Sequence, residues 1–254
     1  MKAIGIIPAR YGSTRFPGKV LAEIESKPMI QHVWERAKQC RELNEVLIAC
    51  DHDKVLKKAK EFGAKVVMTS PDHASGSDRI AEAVKDLAFD IVVNIQGDEP
   101  FMASSIIDKL VAALKKDPSC MMATVIKQIK KQDEINDPNI VKVVIDQKGN
   151  ALYFSRSVIP HNRSKVFPLQ AKYFKHIGIY AYRKDFLLEY TTWKKSALED
   201  MEQLEQLRVL ESGHTIKTIE TDIETIAVDT PDDLLKVNAQ LLTFSTLKDR
   251  RKSI

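Results

Sequence analysis

Apolar residues fall along this chain in short continuous blocks, separated by longer stretches with one apolar face. Ala3-Ile4-Gly5-Ile6-Ile7 is such a block and predicts a strand buried on both faces. From Met29 to Arg41 the residues Met29, Val33, Trp34 and Ala37 share one helical face. Glu45-Val46-Leu47-Ile48-Ala49-Cys50 predicts a second strand, with Asp51 at its carboxyl end. Asp53 to Phe62 reads as a helix closed by Gly63, and Lys65 to Met68 as a short third strand. After Thr69–Arg79 a helix runs through Ala88, with Ser77 as its N-cap. Asp90–Ile95 is a fourth strand, apolar enough to be central. A helix over Ala103–Lys116 and a strand over Met121–Ile126 follow. Strands and helices in alternation predict an α/β fold with a doubly wound parallel sheet.

The pattern then changes. Val141–Ile145 and Ala151–Phe154 flank Asp146-Gln147-Lys148-Gly149-Asn150, a hairpin signature. Asn162 to Lys172 has little periodicity and reads as a loop or arm. In the alternating run His176–Tyr182, His176, Gly178, Tyr180 and Tyr182 share one face. Met201, Leu204, Leu207 and Leu210 predict one core-facing helix over Glu199–Glu211, with Glu205 and Gln206 beside the stripe, open to solvent or to a site. Thr225–Val228 reads as a last buried strand. Thr230, Pro231 and Asp233 then form a strong helix start. The basic tail over 243–254 has no evident core face.

With 254 residues and no internal repeat, a single domain over 1–254 is the expectation. Net charge is +4 with the basic residues dispersed, so nothing points to a nucleic-acid partner. Cys40, Cys50 and Cys120 are odd in number and far apart, which fits a reducing compartment rather than a disulfide framework or zinc site. Arg10 interrupts any signal-peptide core, and no segment approaches membrane-spanning length. A cytoplasmic protein without a membrane partner is expected.

Candidate chemistry concentrates after the first strand. In Ile7-Pro8-Ala9-Arg10-Tyr11-Gly12-Ser13-Thr14-Arg15-Phe16-Pro17-Gly18-Lys19, three cations occur with no acid before Glu23. A loop leaving a parallel strand opens on the crevice where such sheets bind ligands, and unpaired Arg10, Arg15 and Lys19 would suit a triphosphate. It is not a Walker loop: five residues separate Gly12 from Gly18, and Val20 follows Lys19. The G-x-G-x-x-G fingerprint is also absent. Asp98 follows the fourth strand onto the same rim, where a bound triphosphate would repel it without an intervening cation. Mg²⁺ is the expected bridge. Asp98 is a better metal candidate than Glu99, whose other reading is plain solvation, and Asp229 at its strand end is a possible second carboxylate. The Thr69–Arg79 stretch serves equally as a helix start capped by Ser77 or as a loop whose backbone lines a base pocket.

Six motifs in order resemble the 3-deoxy-manno-octulosonate cytidylyltransferase (CMP-Kdo synthetase) family. They are Ile7-Pro8-Ala9-Arg10 through Lys19, Gln96-Gly97-Asp98-Glu99-Pro100, Ala151–Arg156, His176–Tyr180, Leu204–Arg208 and Val228–Pro231. The resemblance covers Ile6 to about Leu235. It implies a nucleotide-diphospho-sugar transferase (Rossmann-like) sandwich with a mostly parallel central sheet. It also implies a smaller antiparallel region, about 135–195, that forms a homodimer and part of the sugar site. The implied reaction is CTP plus Kdo to CMP-Kdo and pyrophosphate, for lipopolysaccharide biosynthesis. By the same resemblance Ala9, Arg10, Arg15, Lys19, Ser75 and Gly76 would bind the nucleotide. Asp98 and Asp229 would ligate Mg²⁺. Gln96, Arg156, His176, Tyr180, Glu205 and Gln206 would surround the sugar. Catalysis would rest on Arg10, Lys19, Asp98 and Asp229. No general base is evident, so a metal-acidified sugar hydroxyl is the expected nucleophile. A related acid sugar, or a non-catalytic nucleotide-binding module, is the alternative. Val20 departs from the Pro often found there, and the tail is longer than the family's.

Overall fold

A computed structural model of the chain describes residues 1–12, 16–163 and 172–239. Arg15, most of the Asn162–Lys172 stretch and the basic tail lie outside the described residues. The elements run β1 (Ala3–Ala9), β2 (Glu23–Ile24), β3 (Lys27–Pro28), α1 (Met29–Ala37), β4 (Glu45–Cys50), α2 (Asp53–Glu61) and β5 (Lys65–Met68). They continue with α3 (Gly76–Val84), β6 (Ile91–Asn94), α4 (Ser104–Lys116), β7 (Met122–Gln128) and α5 (Gln132–Asn136). The second half adds β8 (Lys142–Ile145), β9 (Ala151–Ser155), β10 (Phe174–Arg183), α6 (Lys184–Tyr190), α7 (Ala197–Glu202), α8 (Leu207–Glu211) and β11 (Ile216–Glu220). Residues 231–239 are helical.

The main sheet has the order β11-β7-β10-β6-β1-β4-β5. Every neighbour contact is parallel except those of β10, which runs against both β6 and β7. Apolar blocks thus became a mostly parallel sheet because helices cover both faces. On β1, Ala3, Ile7 and Ala9 join the core beneath α1, α2 and α4, while Ile4 and Ile6 join the one beneath α3, α6 and α8. The β8–β9 hairpin extends the antiparallel part by pairing β8 with the start of β10.

Four expectations need correction. The predicted 199–211 helix is two helices, broken where Gln203 adopts a left-handed conformation at φ 54°. On one continuous helix Glu199 and Arg208 would lie about two and a half turns apart, on opposite faces. The break lets them meet as a buried ion pair. It also leaves Met201 80% exposed, while Leu204 and Leu207 stay buried. Second, Thr225–Val228 is not a strand. It makes one main-chain bond to the Asp98 carbonyl, from Val228 N at 2.9 Å, and its apolar residues fill a small separate core with Ile24, Met29 and Val237. Third, the last strand is β11, whose mixed Ile216-Lys217-Thr218-Ile219-Glu220 pattern suits a sheet edge. Fourth, the N-cap of α3 is Ser75, not Ser77. Its hydroxyl accepts from Asp78 N at 3.1 Å, and the Asp78 carboxylate accepts from Ser75 N at 3.0 Å, a capping box.

Candidate active site

Strands β5, β4, β1 and β6 end on one rim, and the chain order reverses between β1 and β6, the position at which open parallel sheets bind ligands. There β1 runs into the basic loop and β6 delivers Gln96-Gly97-Asp98. The two segments touch closely: a Cβ on Gly97 would lie 3.0 Å from the Pro8 carbonyl oxygen. Gly18 closes the basic loop at φ 69°, its N–H bonded to the Tyr11 carbonyl at 2.9 Å. Lys19 follows at the start of a 3-10 turn.

Lys19 Nζ donates to Asp98 Oδ2 at 2.7 Å and to Asp229 Oδ1 at 3.0 Å. One ammonium therefore gathers two carboxylates from segments far apart in sequence. Burial opposes the Lys19 charge, but the pull of Asp98, with Asp229 adding to it, prevails and holds its pKa above the ordinary value. The expectation of an unpaired Lys19 is corrected. So is the solvated reading of Glu99: it is 7% exposed, and burial, with Asp98 and Asp229 adding repulsion, pushes its pKa up to about 8. Among the described residues no three His, Cys, Asp or Glu side chains cluster to hold a metal. A pair of carboxylates suits a cation that completes its shell with water and phosphate oxygens.

Arg10 Nη2 donates to the His73 carbonyl at 2.8 Å, which ties the basic loop to the stretch before α3. Ala9 is fully buried at the end of β1. Two residues outside the predicted site support this loop. Asp51 Oδ1 accepts from Tyr11 N at 2.9 Å, and Arg79, fully buried, donates from Nη2 to Asp51 Oδ2 at 3.0 Å. Asp51 had a visible signal, an acid at a strand's carboxyl end. Arg79 had none.

A second cluster lies beside the rim. Gln96 Nε2 donates to Asn94 Oδ1 at 3.1 Å. Tyr182 interacts with both Asn94 and Ser77. Ser77, freed from capping, donates to Glu205 Oε2 at 3.1 Å, and Ser75 also bonds Glu205. Burial raises the Glu205 pKa against these bonds. Glu205 Oε1 and Gln206 Nε2 are buried polar atoms without a partner. Tyr180 packs between Tyr182 and His176, with ring centroids 5.9 and 5.4 Å away, and Phe154 meets His176 edge-on at 5.0 Å. His176 bonds through Nε2 to Thr124 Oγ1 at 2.9 Å, while that hydroxyl donates to the Ile179 carbonyl at 2.9 Å. Desolvation pushes the His176 pKa down to about 3, so the ring is neutral near pH 7. Arg156 is engaged elsewhere: Nε donates to the Glu202 carbonyl at 3.0 Å and Nη1 to the Pro138 carbonyl at 3.2 Å. Thr124 and Glu202 gave no signal in sequence.

Residues 4–219 match the family model described as Cytidylyltransferase. A 3-deoxy-manno-octulosonate cytidylyltransferase of Solibacter usitatus is 50% identical over 237 residues, covering 93% of each chain. One of Geobacter metallireducens is 48% identical over 252 residues, covering 96% of this chain and 99% of its own. A solved structure of CMP:2-keto-3-deoxy-manno-octonic acid synthetase complexed with CTP superposes with a TM-score of 0.91 at 44% identity. It covers 96% of this chain and 99% of its own.

Proposed function

The chain belongs to the cytidylyltransferase family, and from that premise we propose that it joins CTP to Kdo, forming CMP-Kdo and pyrophosphate. The observation that carries this reading at the site is the meeting of Asp98 and Asp229 on Lys19. Acids that close repel one another unless a cation lies between them. A nucleotide triphosphate brought to this rim faces the same requirement.

Arg10 and Lys19 bind the triphosphate, and Arg15 joins them on the strength of the family resemblance. Lys19 has donors enough to meet phosphate oxygens once its carboxylates gain another cation. Ala9 and the capped start of α3 at Ser75-Gly76 enclose the base, where backbone N–H groups favour electron-rich atoms. Asp98 and Asp229 would hold Mg²⁺, which when bound acidifies the sugar hydroxyl and offsets phosphate charge. The sugar hydroxyl gives up its proton to water, its oxygen bonds to the α-phosphorus, and the bond from the α-phosphorus to the bridging oxygen of the β-phosphate breaks. That oxygen leaves with the electron pair as pyrophosphate, beside Arg10 and Lys19.

For the sugar, Glu205 Oε1 and Gln206 Nε2 have unmet bonding capacity. Neutral His176 offers a polar ring rather than a charge. Gln96 and Tyr180 complete the wall, and Arg156 anchors the chain around it through Glu202. We place the enzyme in the cytoplasm, in lipopolysaccharide biosynthesis, as a homodimer. Support for the homodimer is the exposure of two large apolar side chains in the second half, Leu152 (60%) on β9 and Met201 (80%) on α7.

A panel of acid sugars with CTP and Mg²⁺, read by pyrophosphate release, tests the reading. Kdo should be the preferred substrate, and Asp98→Asn should lose at least about a hundred-fold in turnover while keeping its circular dichroism. Release with every sugar but Kdo, or a near-normal rate in Asp98→Asn, contradicts it.

A further inference from the structure

The ion pair of Glu199 and Arg208 has no part in the steps above, yet it is among the best-formed in the protein. Arg208 donates from Nε to Glu199 Oε2 at 2.7 Å and from Nη2 to Glu199 Oε1 at 2.6 Å, a two-pronged fork. Nη1 donates to the Trp193 carbonyl at 3.1 Å, and the guanidinium lies 5.1 Å over the Tyr190 ring. Arg208 is 6% and Glu199 5% exposed. Buried pairs of this kind are poor sources of stability, because desolvation cancels most of their attraction. Their clearer use is to select one arrangement over another.

We infer that Arg208, through this fork, is a positioning residue for the acid sugar: it sets the turn that carries Glu205 and Gln206. The inference rests on the reading above that these two side chains hold the sugar. The fork joins α7 to α8 across the break at Gln203, and forms only if the break is made. Gln203 is held left-handed there at φ 54°, a conformation that surroundings must impose on a residue with a Cβ. The Glu205 carbonyl is gripped by the same cluster, accepting from Tyr190 Oη at 3.3 Å and from Arg208 N at 3.2 Å. Leu204 N donates to the Glu199 carbonyl at 3.3 Å. Apolar packing does not fill one side of the turn. A cavity of about 440 Å³ lies there, lined by Gln203, Glu205, Arg208, Trp193 and Asp200 among others. Polar bonds therefore fix the turn on that side. Lysine cannot replace them, since it lacks the planar fork that spans both carboxylate oxygens.

Steady-state kinetics of the full-length protein, read by pyrophosphate release, test this with Arg208→Lys. The KM for Kdo should rise about ten-fold or more while the KM for CTP changes less than about two-fold, since a small misplacement suffices for such losses. The double variant Arg208→Met, Glu199→Leu removes both charges together, which buried pairs tolerate, and should show the same split. A purely structural role would lower thermal stability and the active fraction but leave both KM values unchanged, and that result in either variant overturns the inference. Gln206→Ala serves as the reference. If it raises the KM for Kdo and the fork variants do not, the positioning role alone fails. If it has no effect, the sugar reading fails and takes the positioning role with it.

Discussion

His176 shows how one side chain reports its depth in the protein. An unfolded histidine takes up a proton as pH falls below 6.5, but in the fold desolvation delays this to about 3. Between those values the unfolded state binds more protons, so this residue makes the protein less stable as pH drops through that window. Replacing it with asparagine should flatten the acid limb: the melting temperature of His176→Asn should fall less than that of the parent between pH 7 and pH 5. An unchanged slope would mean that the ring takes up its proton at the same pH in the native and the unfolded protein. Lys19 shows the complementary case. Its charge is kept despite burial because two carboxylates face it, and the same contacts prepare the site for a cation and a polyanion together.

At the scale of elements, α3 does two tasks with adjacent hydroxyls. Ser75 caps the helix and Ser77 reaches Glu205. Ser75→Ala removes the acceptor for Asp78 N and should cost about 1 kcal/mol in urea denaturation, with weaker CTP binding if this helix start encloses the base. A loss of stability without any change in CTP affinity would confine Ser75 to capping. The hairpin β8–β9 and helix α7 form a second unit. Glu202 on α7 accepts from Ser155 Oγ at 2.5 Å and from Arg156 N at 2.9 Å, so the hairpin end and the sugar-side turn move together. Lys142 reinforces it from below, its ammonium bonded to the carbonyls of Asp137, Ile140 and Arg156.

Across the whole molecule, the rim collects groups from both ends of the chain. Lys19 and Asp229 stand 210 positions apart and meet only because the 225–229 segment hooks onto the Asp98 carbonyl. No helix among the described residues is long and apolar enough to cross a membrane. Leu152 on β9 and Met201 on α7 lie exposed, and in the proposed homodimer they would be covered. Leu152→Glu with Met201→Glu should then shift the mass measured by light scattering from dimer toward monomer. A dimer that survives both charges would place the interface elsewhere.

What sequence alone determined were the features with short-range causes. Apolar runs marked β1, β4 and β6 because burial on both faces demands continuous apolar residues. Thr230 and Asp233 announced a helix start because a capping box is local. The order of motifs pointed to the family because each motif is contiguous. Tertiary structure decided what depends on partners distant in the chain. It broke the 199–211 helix so that two charges nine positions apart could meet. It buried Glu99 and brought Asp229, a carboxylate from a distant segment, close enough to repel it. It turned the expected strand at Thr225–Val228 into a tether, held by a main-chain bond from Val228 N to the Asp98 carbonyl rather than by strand pairing. Periodicity records which faces avoid water, whereas ion pairs and edges are settled by which segments arrive beside one another.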